Sequence, residues 1–216
     1  MLETMADFFH ARLEGYEEHM LRNIDRAEVF YPRTASLLPP FPGARVLDLG
    51  CGTGLELRYY FSLNPGAQVT GIDLASGMLL ALEKNFPGKD LELICDSYFD
   101  VPFGENRFDG AVSVESLHHF TKEEKIPLYR KLRAALKPGC SFILTDYFAE
   151  NDEEEVFCRQ ELVRLKAEEN LSDSAFYHYD TPLTVAHEME ALKAAGFTRV
   201  ERLAQWGATS LIRADK

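Results

Sequence analysis

Long apolar runs are missing from this sequence of 216 residues. A helix that crosses a bilayer needs about 18 or more consecutive apolar residues, and no stretch of the chain approaches that length. The first residues are also unlike a secretory signal, because Glu3, Asp7 and His10 interrupt them. The sequence therefore predicts a cytoplasmic protein with no membrane partner. Its hydrophobic content of 46% is ordinary for a globular domain with a buried core.

Cysteine is also scarce, and the four residues of this type are Cys51, Cys95, Cys140 and Cys158. None of them forms a Cys-x-x-Cys pair. Three lie in or beside predicted core strands, where a free thiol behaves as a small apolar side chain. The sequence thus indicates neither a disulfide framework nor a metal site.

Basic residues are too few to balance the acids. Lys and Arg total 23 against 35 Asp and Glu, which gives a net charge of −12. Such a charge repels a polyphosphate backbone, and no basic stripe interleaved with aromatic residues overrides it. Nucleic acid is therefore not expected as a substrate or a partner.

A glycine-rich turn is the most informative feature that is present. Residues 46–54 read Val-Leu-Asp-Leu-Gly-Cys-Gly-Thr-Gly, a short apolar strand that runs into three alternating glycines. Gly tolerates positive φ and has no Cβ, so a ligand can approach the backbone closely. A second strand, residues 69–73, ends in Asp73, whose carboxylate is placed to accept hydrogen bonds from both hydroxyls of a ribose. Together the two strands predict a nucleoside pocket at the carboxyl edge of a parallel sheet.

The spacing of the glycines separates two kinds of nucleoside ligand. The dinucleotide fingerprint Gly-x-Gly-x-x-Gly needs a third glycine where this chain has Leu55, which disfavours an NAD-dependent oxidoreductase. Asp48, two residues before the first glycine, is a poor neighbour for a diphosphate and a good one for a cation. The segment resembles the first motif of the class I S-adenosylmethionine-dependent methyltransferases. In that family the glycine turn passes the amino-acid part and the ribose of the cofactor, and the acid at Asp73 holds the ribose hydroxyls.

The resemblance extends from about Arg45 to Asp146. A third strand ends in Asp96-Ser97, where the family has an acid for the adenine amino group and a residue that contacts the ring. The segment 115–120, Glu-Ser-Leu-His-His-Phe, is typical of small-molecule members, and Lys137-Pro138-Gly139 between a helix and a strand is a further hallmark. The resemblance implies S-adenosyl-L-methionine as the cofactor. The residues that it implies for cofactor binding are Tyr16, Asp48, Gly50, Cys51, Gly52, Gly54, Asp73, Leu74, Met78, Asp96, Ser97 and Val114.

The implied fold class is α/β. It is the Rossmann-like class I methyltransferase fold, a mostly parallel seven-stranded sheet with an antiparallel last strand and helices on both faces. We expect a single methyltransferase domain over residues 1–216, with two additions. Residues 1–40 form an N-terminal helical cap of two helices over the cofactor cleft, and residues 147–181 form an inserted lid.

The lid contains a charged helix, Glu153 to Asn170, followed by an aromatic segment. Thr181-Pro182 then begins a further helix, with Thr as N-cap and Pro at the first helical position. An earlier helical pattern runs from Leu128 to Lys137. The last two strands, about residues 197–203 and 208–213, are predicted to form a hairpin at the sheet edge.

Methyl transfer from a sulfonium is an in-line displacement, so alignment and exclusion of water supply most of the catalysis. A hydroxyl or ammonium acceptor also needs a general base, and a histidine suits that role. Two histidines follow the fourth strand, close to where the methyl should emerge, and the aromatic residues of the lid can form a pocket for a cationic or planar acceptor or simply pack as its core. The candidate catalytic residues are His118, His119, Tyr147, Tyr177 and His178.

Three functions follow from the resemblance. The first is an S-adenosylmethionine-dependent methyltransferase that acts on a small-molecule acceptor, as a monomer or homodimer. The second is an enzyme that uses a modified S-adenosylmethionine or transfers another group from it. The third is a non-catalytic module that binds the cofactor and regulates a partner.

Overall fold

The computed structural model describes residues 1–172 and 175–216. Within them the chain forms seven strands and eight α-helices. The strands are β1 (Arg45–Leu49), β2 (Gln68–Asp73), β3 (Asp90–Cys95), β4 (Gly110–Val114), β5 (Ser141–Tyr147), β6 (Arg199–Trp206) and β7 (Thr209–Asp215). The helices are α1 (Met5–Ala11), α2 (Tyr16–Asn23), α3 (Ala27–Ala35), α4 (Leu55–Leu63), α5 (Ser76–Asn85), α6 (Lys122–Ala135), α7 (Asp152–Glu168) and α8 (Val185–Ala194). A 3₁₀ turn, Leu117–His119, follows β4.

The strands form one sheet in the order β3-β2-β1-β4-β5-β7-β6. The first five pair in parallel, whereas β7 runs antiparallel to both β5 and β6. Gly207 and Ala208 form the two-residue turn between β6 and β7, and Gly207 has the positive φ, 56°, that such turns favour. The predicted fold class, with its antiparallel last strand and edge hairpin, is confirmed.

Apolar side chains cover both faces of the sheet. On one face α6 and α8 pack over Leu47, Leu49 and Phe142, and on the other α3 and α4 pack over Val46 and Val112. Strands β1 and β4 are buried along nearly their whole length, so their residues are mostly apolar or small on both faces and do not alternate, with Asp48 and Ser113 as buried polar exceptions. Since helices occupy both faces, the carboxyl edge of the parallel strands is where a ligand site can form.

The N-terminal segment contains three helices, α1 to α3, and the prediction of two helices there is wrong. Gly15 precedes α2 with a φ of 82°, and Arg26 precedes α3 with a φ of 61°. A residue in this left-handed conformation cannot continue a right-handed helix, so each one ends the run before it. Glycine favours such a conformation, so the break at Gly15 could have been predicted from the sequence, whereas an arginine at position 26 does not indicate a break.

Two further helix starts differ from prediction. Helix α8 begins at Val185 and not at Thr181-Pro182, because the Thr184 hydroxyl is the cap and accepts a hydrogen bond from His187 N–H at 3.3 Å. Helix α6 begins six residues before Leu128, at a capping box in which Thr121 and Glu124 bond each other's backbone N–H. The apolar spacing identified the buried part of α6 but not its polar first turn.

The charged helix of the lid, α7, is present within a residue or two of its predicted bounds. Asn151 caps it by accepting a hydrogen bond from Glu154 N–H at 2.9 Å, and none of its 17 residues is buried. Among the described residues, no helix is both long and apolar enough to cross a membrane.

Candidate active site

The glycine turn after β1 has the backbone that its sequence predicts. Gly50, Gly52 and Gly54 all have positive φ, at 73°, 50° and 79°. A Cβ on Gly50 would lie 2.0 Å from Ser116 Oγ, and one on Gly54 would lie 2.7 Å from Phe86 Cε2. Larger residues are therefore excluded both by the backbone conformation and by close neighbours.

Asp73 ends β2 beside this turn. Its Oδ2 accepts a hydrogen bond from Gly52 N–H at 2.9 Å, and its Oδ1 accepts one from Ala75 N–H at 2.8 Å. Burial raises the pKa of the carboxyl, and these two backbone hydrogen bonds oppose the rise. Each oxygen keeps further acceptor capacity, which is what a ribose with two hydroxyls requires.

Asp48 and Glu56 form a second acidic pair at the two ends of the same turn. Asp48 is 1% exposed and Glu56 is 4% exposed. Both Asp48 oxygens and Glu56 Oε1 lack a hydrogen-bond partner among the described residues. Burial raises the pKa of Asp48 well above its ordinary value, and the charge of Glu56 raises it further, while burial also raises the pKa of Glu56. Because buried carboxyls without partners are costly, a cation brought to this pair would be stabilised.

Sequence analysis identified Asp48 but missed Glu56. An acid in the first turn of a helix is also what an ordinary helix start favours, so Glu56 at the start of α4 gave no distinct signal.

Tyr16, the first residue of α2, reaches over the turn from the N-terminal helices. Its hydroxyl lies 3.8 Å from the position that a Cβ on Gly52 would occupy. Burial raises the pKa of the phenol, and the charges of Asp73, Glu56 and Glu115 raise it further. Tyr16 is therefore a neutral hydroxyl among three carboxyl groups.

A narrow cleft with about 60 Å³ of free space lies between the turn, the end of β4 and the N-terminal helices. Seven of the predicted cofactor residues line it, namely Tyr16, Gly50, Gly52, Asp73, Leu74, Met78 and Val114. The structure places the other five, Asp48, Cys51, Gly54, Asp96 and Ser97, around the cleft and not on its described walls. Met5 and Phe9 of α1 also line the cleft, and sequence analysis did not name them as site residues.

A larger cavity of about 780 Å³ adjoins the cleft. Four of the candidate catalytic residues line it, namely His118, His119, Tyr147 and His178. Tyr177 does not join them, because it lines a separate cavity beside α7, where Lys166 Nζ lies 5.6 Å from the centre of its ring. Four side chains line both the cleft and the larger cavity, namely Phe9, Tyr16, Glu115 and His119.

His118 is held between two carboxylates. Its Nδ1 lies 2.6 Å from Asp146 Oδ1, and its Nε2 lies 3.5 Å from Asp180 Oδ1. Burial lowers the pKa of His118, but the charge and hydrogen bond of Asp146, together with Asp180, outweigh burial and raise the pKa to about 10. The ring is therefore a cation at neutral pH and cannot accept a proton from a substrate.

His119 has the opposite character. Its Nδ1 lies 3.1 Å from the carbonyl oxygen of Tyr179. A carbonyl only accepts, so we assign the ring hydrogen to Nδ1, which leaves Nε2 as an acceptor. Burial and the adjacent charge of His118 lower the pKa of His119 to about 3. The ring is a neutral but weakly basic group.

Glu115 is a site residue to which sequence analysis gave no role, although it begins the segment 115–120. It follows β4 with a φ of 49°, a left-handed conformation that is uncommon for a residue with a side chain. Thr209 donates a hydrogen bond to its Oε1 at 3.1 Å. Burial raises the pKa of Glu115 to about 7, and the charge of Asp146 adds to the rise. The strand-end rule that located Asp73 also applies to Glu115 and Asp146, whereas Asp180 in the lid carries no such signal.

Comparison with known proteins agrees with this geometry. Residues 46–139 match the family model described as a methyltransferase domain. The sterol 24-C-methyltransferase ERG6B of Gibberella zeae is 29% identical over 198 residues, which are 88% of this chain and 48% of that protein. The tRNA U34 carboxymethyltransferase of Nautilia profundicola is 30% identical over 123 residues, 56% of this chain and 40% of that protein.

Solved structures show the same fold. A methyltransferase solved in complex with the Haloferax volcanii Trm112 methyltransferase activator has a TM-score of 0.70 and 18% identity, and the match covers 98% of this chain and 97% of that one. The chain spans about half the length, or less, of the curated relatives that it matches.

Proposed function

Because the chain belongs to the class I S-adenosylmethionine-dependent methyltransferase family, we propose that it transfers the methyl group of S-adenosyl-L-methionine to a small organic acceptor. One observation carries this proposal. Phe9, Tyr16, Glu115 and His119 line both the cofactor cleft and the adjoining cavity, so two bound molecules would meet at these side chains. A direct transfer between cofactor and acceptor requires such a shared boundary.

The residues of the cleft, and of the glycine turn and strand ends beside it, fit this cofactor. We assign Asp73 to the ribose hydroxyls, and Asp48 with Glu56 to the cofactor's ammonium group, because these two carboxyls have unpartnered oxygens. Asp96 and Ser97, at the end of β3, are assigned to the adenine. When bound, the cofactor supplies a methyl group on a positively charged sulfur. Acids that hold the ribose and the ammonium leave that sulfur free of a direct carboxylate contact, which would stabilise the ground state more than the transition state.

We further propose that residues 1–216 act as one domain with a cap and a lid. Met5 and Phe9 of the cap shield the cleft, and the lid supplies His178 and Asp180 to the larger cavity. Together they would exclude water from the reacting groups.

A small acceptor is favoured over nucleic acid by charge. The net charge of −12 opposes a phosphate backbone, and the walls of the larger cavity carry several acids. A second candidate function is transfer of a different group from a modified cofactor, which the similarity to a carboxymethyltransferase supports.

The proposal is tested by titrating S-adenosylmethionine and, separately, NADH into the purified protein in a calorimeter. We expect micromolar binding of S-adenosylmethionine, weakened at least about tenfold, or roughly 1.4 kcal/mol, by Asp73→Ala. Asp90→Ala is the matched control, because this exposed acid is the first residue of β3 and lies away from the carboxyl ends of the strands, where the cleft is. Heat from NADH without heat from S-adenosylmethionine would overturn the proposal.

Turnover separates the remaining alternatives. With tritiated methyl donor and a panel of small acceptors, we expect label to appear in a small product. Mass analysis of ligand released from the denatured protein distinguishes the ordinary cofactor from a modified one. Cofactor binding without turnover of any acceptor would favour the regulatory module.

A further inference from the structure

The larger cavity has aromatic walls. The aromatic residues that line it are Phe8, Phe9, Tyr16, Tyr147 and Trp206. They come from α1, α2, β5 and β6. Phe8 is already covered by His178 and Arg12, at 3.4 and 3.7 Å from its ring centre, so Tyr147 and Trp206 come from the sheet to face a wall of Phe9 and Tyr16. Aromatic faces attract cations because the ring carries negative charge density above its plane.

The same walls are acidic. Arg12 is paired with Glu3 at 2.9 Å, and His118 is paired with Asp146 at 2.6 Å, so these two cations are already compensated. The carboxyl groups on the walls are Glu14, Asp25, Glu115 and Asp180. The cavity therefore favours a positively charged occupant over a negatively charged one.

Glu115 is the acid that reaches the boundary between the cavity and the cofactor cleft. Asp180 lies in the cavity but is committed to His118 and His119, at 3.5 and 3.3 Å. The hydrogen bond described for Glu115 comes from Thr209 to Oε1. A carboxylate has about four acceptor positions, so Glu115 retains capacity toward the cavity.

We propose that the methyl acceptor is an amine that enters as its ammonium ion, and that Glu115 is both its counter-ion and the base that receives its proton. This inference rests on the proposed function. The ammonium N–H bond breaks and its proton passes to a Glu115 carboxylate oxygen. The freed nitrogen lone pair then forms a bond to the methyl carbon, while the carbon–sulfur bond breaks and its electron pair stays on sulfur. The products are a methylated ammonium ion and S-adenosylhomocysteine, and the proton on Glu115 leaves to solvent.

The other groups near the boundary are less suited to this role. His118 is already protonated, and the low pKa of His119 makes it a poor base. A base acts best when its pKa lies near the working pH, and Glu115 meets this condition. The charged and titratable groups that face Glu115 are Asp146 from β5, His118 from the 3₁₀ turn, Asp180 from the lid and Tyr16 from α2.

Binding of three probes of one shape tests the substrate class. Protein saturated with S-adenosylhomocysteine is titrated with 2-phenylethylamine, 2-phenylethanol and 3-phenylpropionate, which differ in charge at pH 7.5. We expect the amine to bind at least tenfold more tightly than the alcohol, and the carboxylate to bind most weakly. Glu115→Gln, which keeps the shape and removes the charge, is expected to abolish the preference for the amine. Glu28→Gln, an exposed acid on α3, is the control that leaves the preference intact.

The outcomes separate this inference from the proposed function. If S-adenosylhomocysteine itself fails to bind, the proposed function fails and this inference falls with it. If it binds but the alcohol matches the amine, or Glu115→Gln keeps the preference, only this inference is overturned. Absence of binding by all three probes at millimolar concentration overturns it as well. Thermal unfolding of each variant verifies that it is folded.

A pH profile tests the role of Glu115 as the base. With any amine that the wild-type protein methylates, kcat/KM should rise tenfold per pH unit below a pKa near 7 and then level off. Glu115→Gln should lose this acidic limb together with most of the rate. A variant that retains the limb would show that another group receives the proton.

Discussion

The cofactor half and the acceptor half of the site are built in different ways. In the cofactor half the base of the cleft is formed by a backbone turn and by strand ends, with Gly52 N–H and Ala75 N–H fixing Asp73, and helices α1 and α2 cover it. In the acceptor half the walls are side chains from α1, the 3₁₀ turn, the lid and β7, which are distant in sequence. The cofactor half is thus specified by local chain geometry, whereas the acceptor half depends on tertiary contacts.

The largest expected effect tests the backbone character of the cofactor half. Gly50→Ala combines a left-handed φ with a collision against Ser116, and we expect it to weaken S-adenosylmethionine binding by more than roughly 100-fold, or about 2.7 kcal/mol. Calorimetry and urea unfolding measure the two consequences.

Gly88→Ala is the matched control for Gly50→Ala. Its φ of 77° imposes the same backbone strain, but no atom lies within 4 Å of the added Cβ. We expect Gly88→Ala to cost about 1–2 kcal/mol of stability without a change in cofactor affinity. Equal effects of the two substitutions on affinity would show that close packing at Gly50 does not matter.

The second effect tests whether the acceptor half rests on a rigid base. Helices α6 and α8 are joined by a fully buried ion pair, Lys125 Nζ to Glu188 at 2.5 Å, with the Tyr129 hydroxyl on the same carboxylate. Lys125→Met removes the cation from that buried carboxylate and leaves it only the Tyr129 hydroxyl, so we expect a loss of about 3–5 kcal/mol in the free energy of unfolding.

The same two helices provide the control. Lys122 and Glu190 form an ion pair of 2.6 Å in which the carboxylate side chain is 60% exposed. Exposed pairs contribute little, so Lys122→Met should leave the urea midpoint unchanged within error. A large effect at Lys122, or none at Lys125, would contradict the assigned difference in burial.

The third effect concerns the charge of His118 in the acceptor half. Its pKa is about 10 in the folded protein and near 6.5 in an unfolded chain, so folding strengthens proton binding. The resulting stabilisation is fully present below about pH 6.5 and is lost as the pH rises toward 10. Urea unfolding at pH 6.5 and 9.5 should show this loss, and His118→Asn should reduce it. An unchanged slope in the variant would show that other groups cause the loss.

The smallest effect tests the contact between cap and lid. Met5 N–H bonds the Phe176 carbonyl at 2.9 Å, and the Phe8 and His178 rings stack with centres 3.4 Å apart. The cofactor cleft, which the cap covers, has about 60 Å³ of free space, whereas ligand pockets usually exceed roughly 300 Å³. We therefore expect the cap to open before the cofactor enters.

His178→Ala should accelerate cofactor association by a few-fold. Trp206 is the only tryptophan and lines the larger cavity, so stopped-flow fluorescence can follow the process without a label. An association rate that His178→Ala leaves unchanged would show that the stack does not restrain the cap.

The sequence predicted the two halves of the site unequally. Strand ends and glycine turns are local, so Gly50, Gly52 and Asp73 could be located from spacing alone. Glu115 shows the limit, because its place at the boundary depends on an unusual φ and on Thr209, which is distant in the sequence. Asp180 could not be predicted at all, since an isolated acid in a loop has no pattern.

The protonation states could not be predicted either. His118 and His119 are neighbours of the same type, and the sequence gives them equal standing as bases. Burial lowers the pKa of both rings, but at His118 the contacts with Asp146 and Asp180 outweigh it, whereas at His119 the charge of His118 lowers the pKa further. The packing of β5 and of the lid against the 3₁₀ turn decides which ring is charged.

The antiparallel direction of β7 has a consequence for how this protein could change its acceptor. Five parallel strands reach the ligand edge with their last residues, but β7 reaches it with its first, Thr209, paired directly to Tyr147 of β5. Both residues are therefore fixed by ladder hydrogen bonds and not by a loop. One residue inserted into the Gly207-Ala208 turn would either form a β-bulge or shift the register of β7 by one residue. Such a shift would move every side chain of β7 to the other face of the sheet. New specificity on this wall would thus arise by exchange of side chains, while the cap and lid can also change in length.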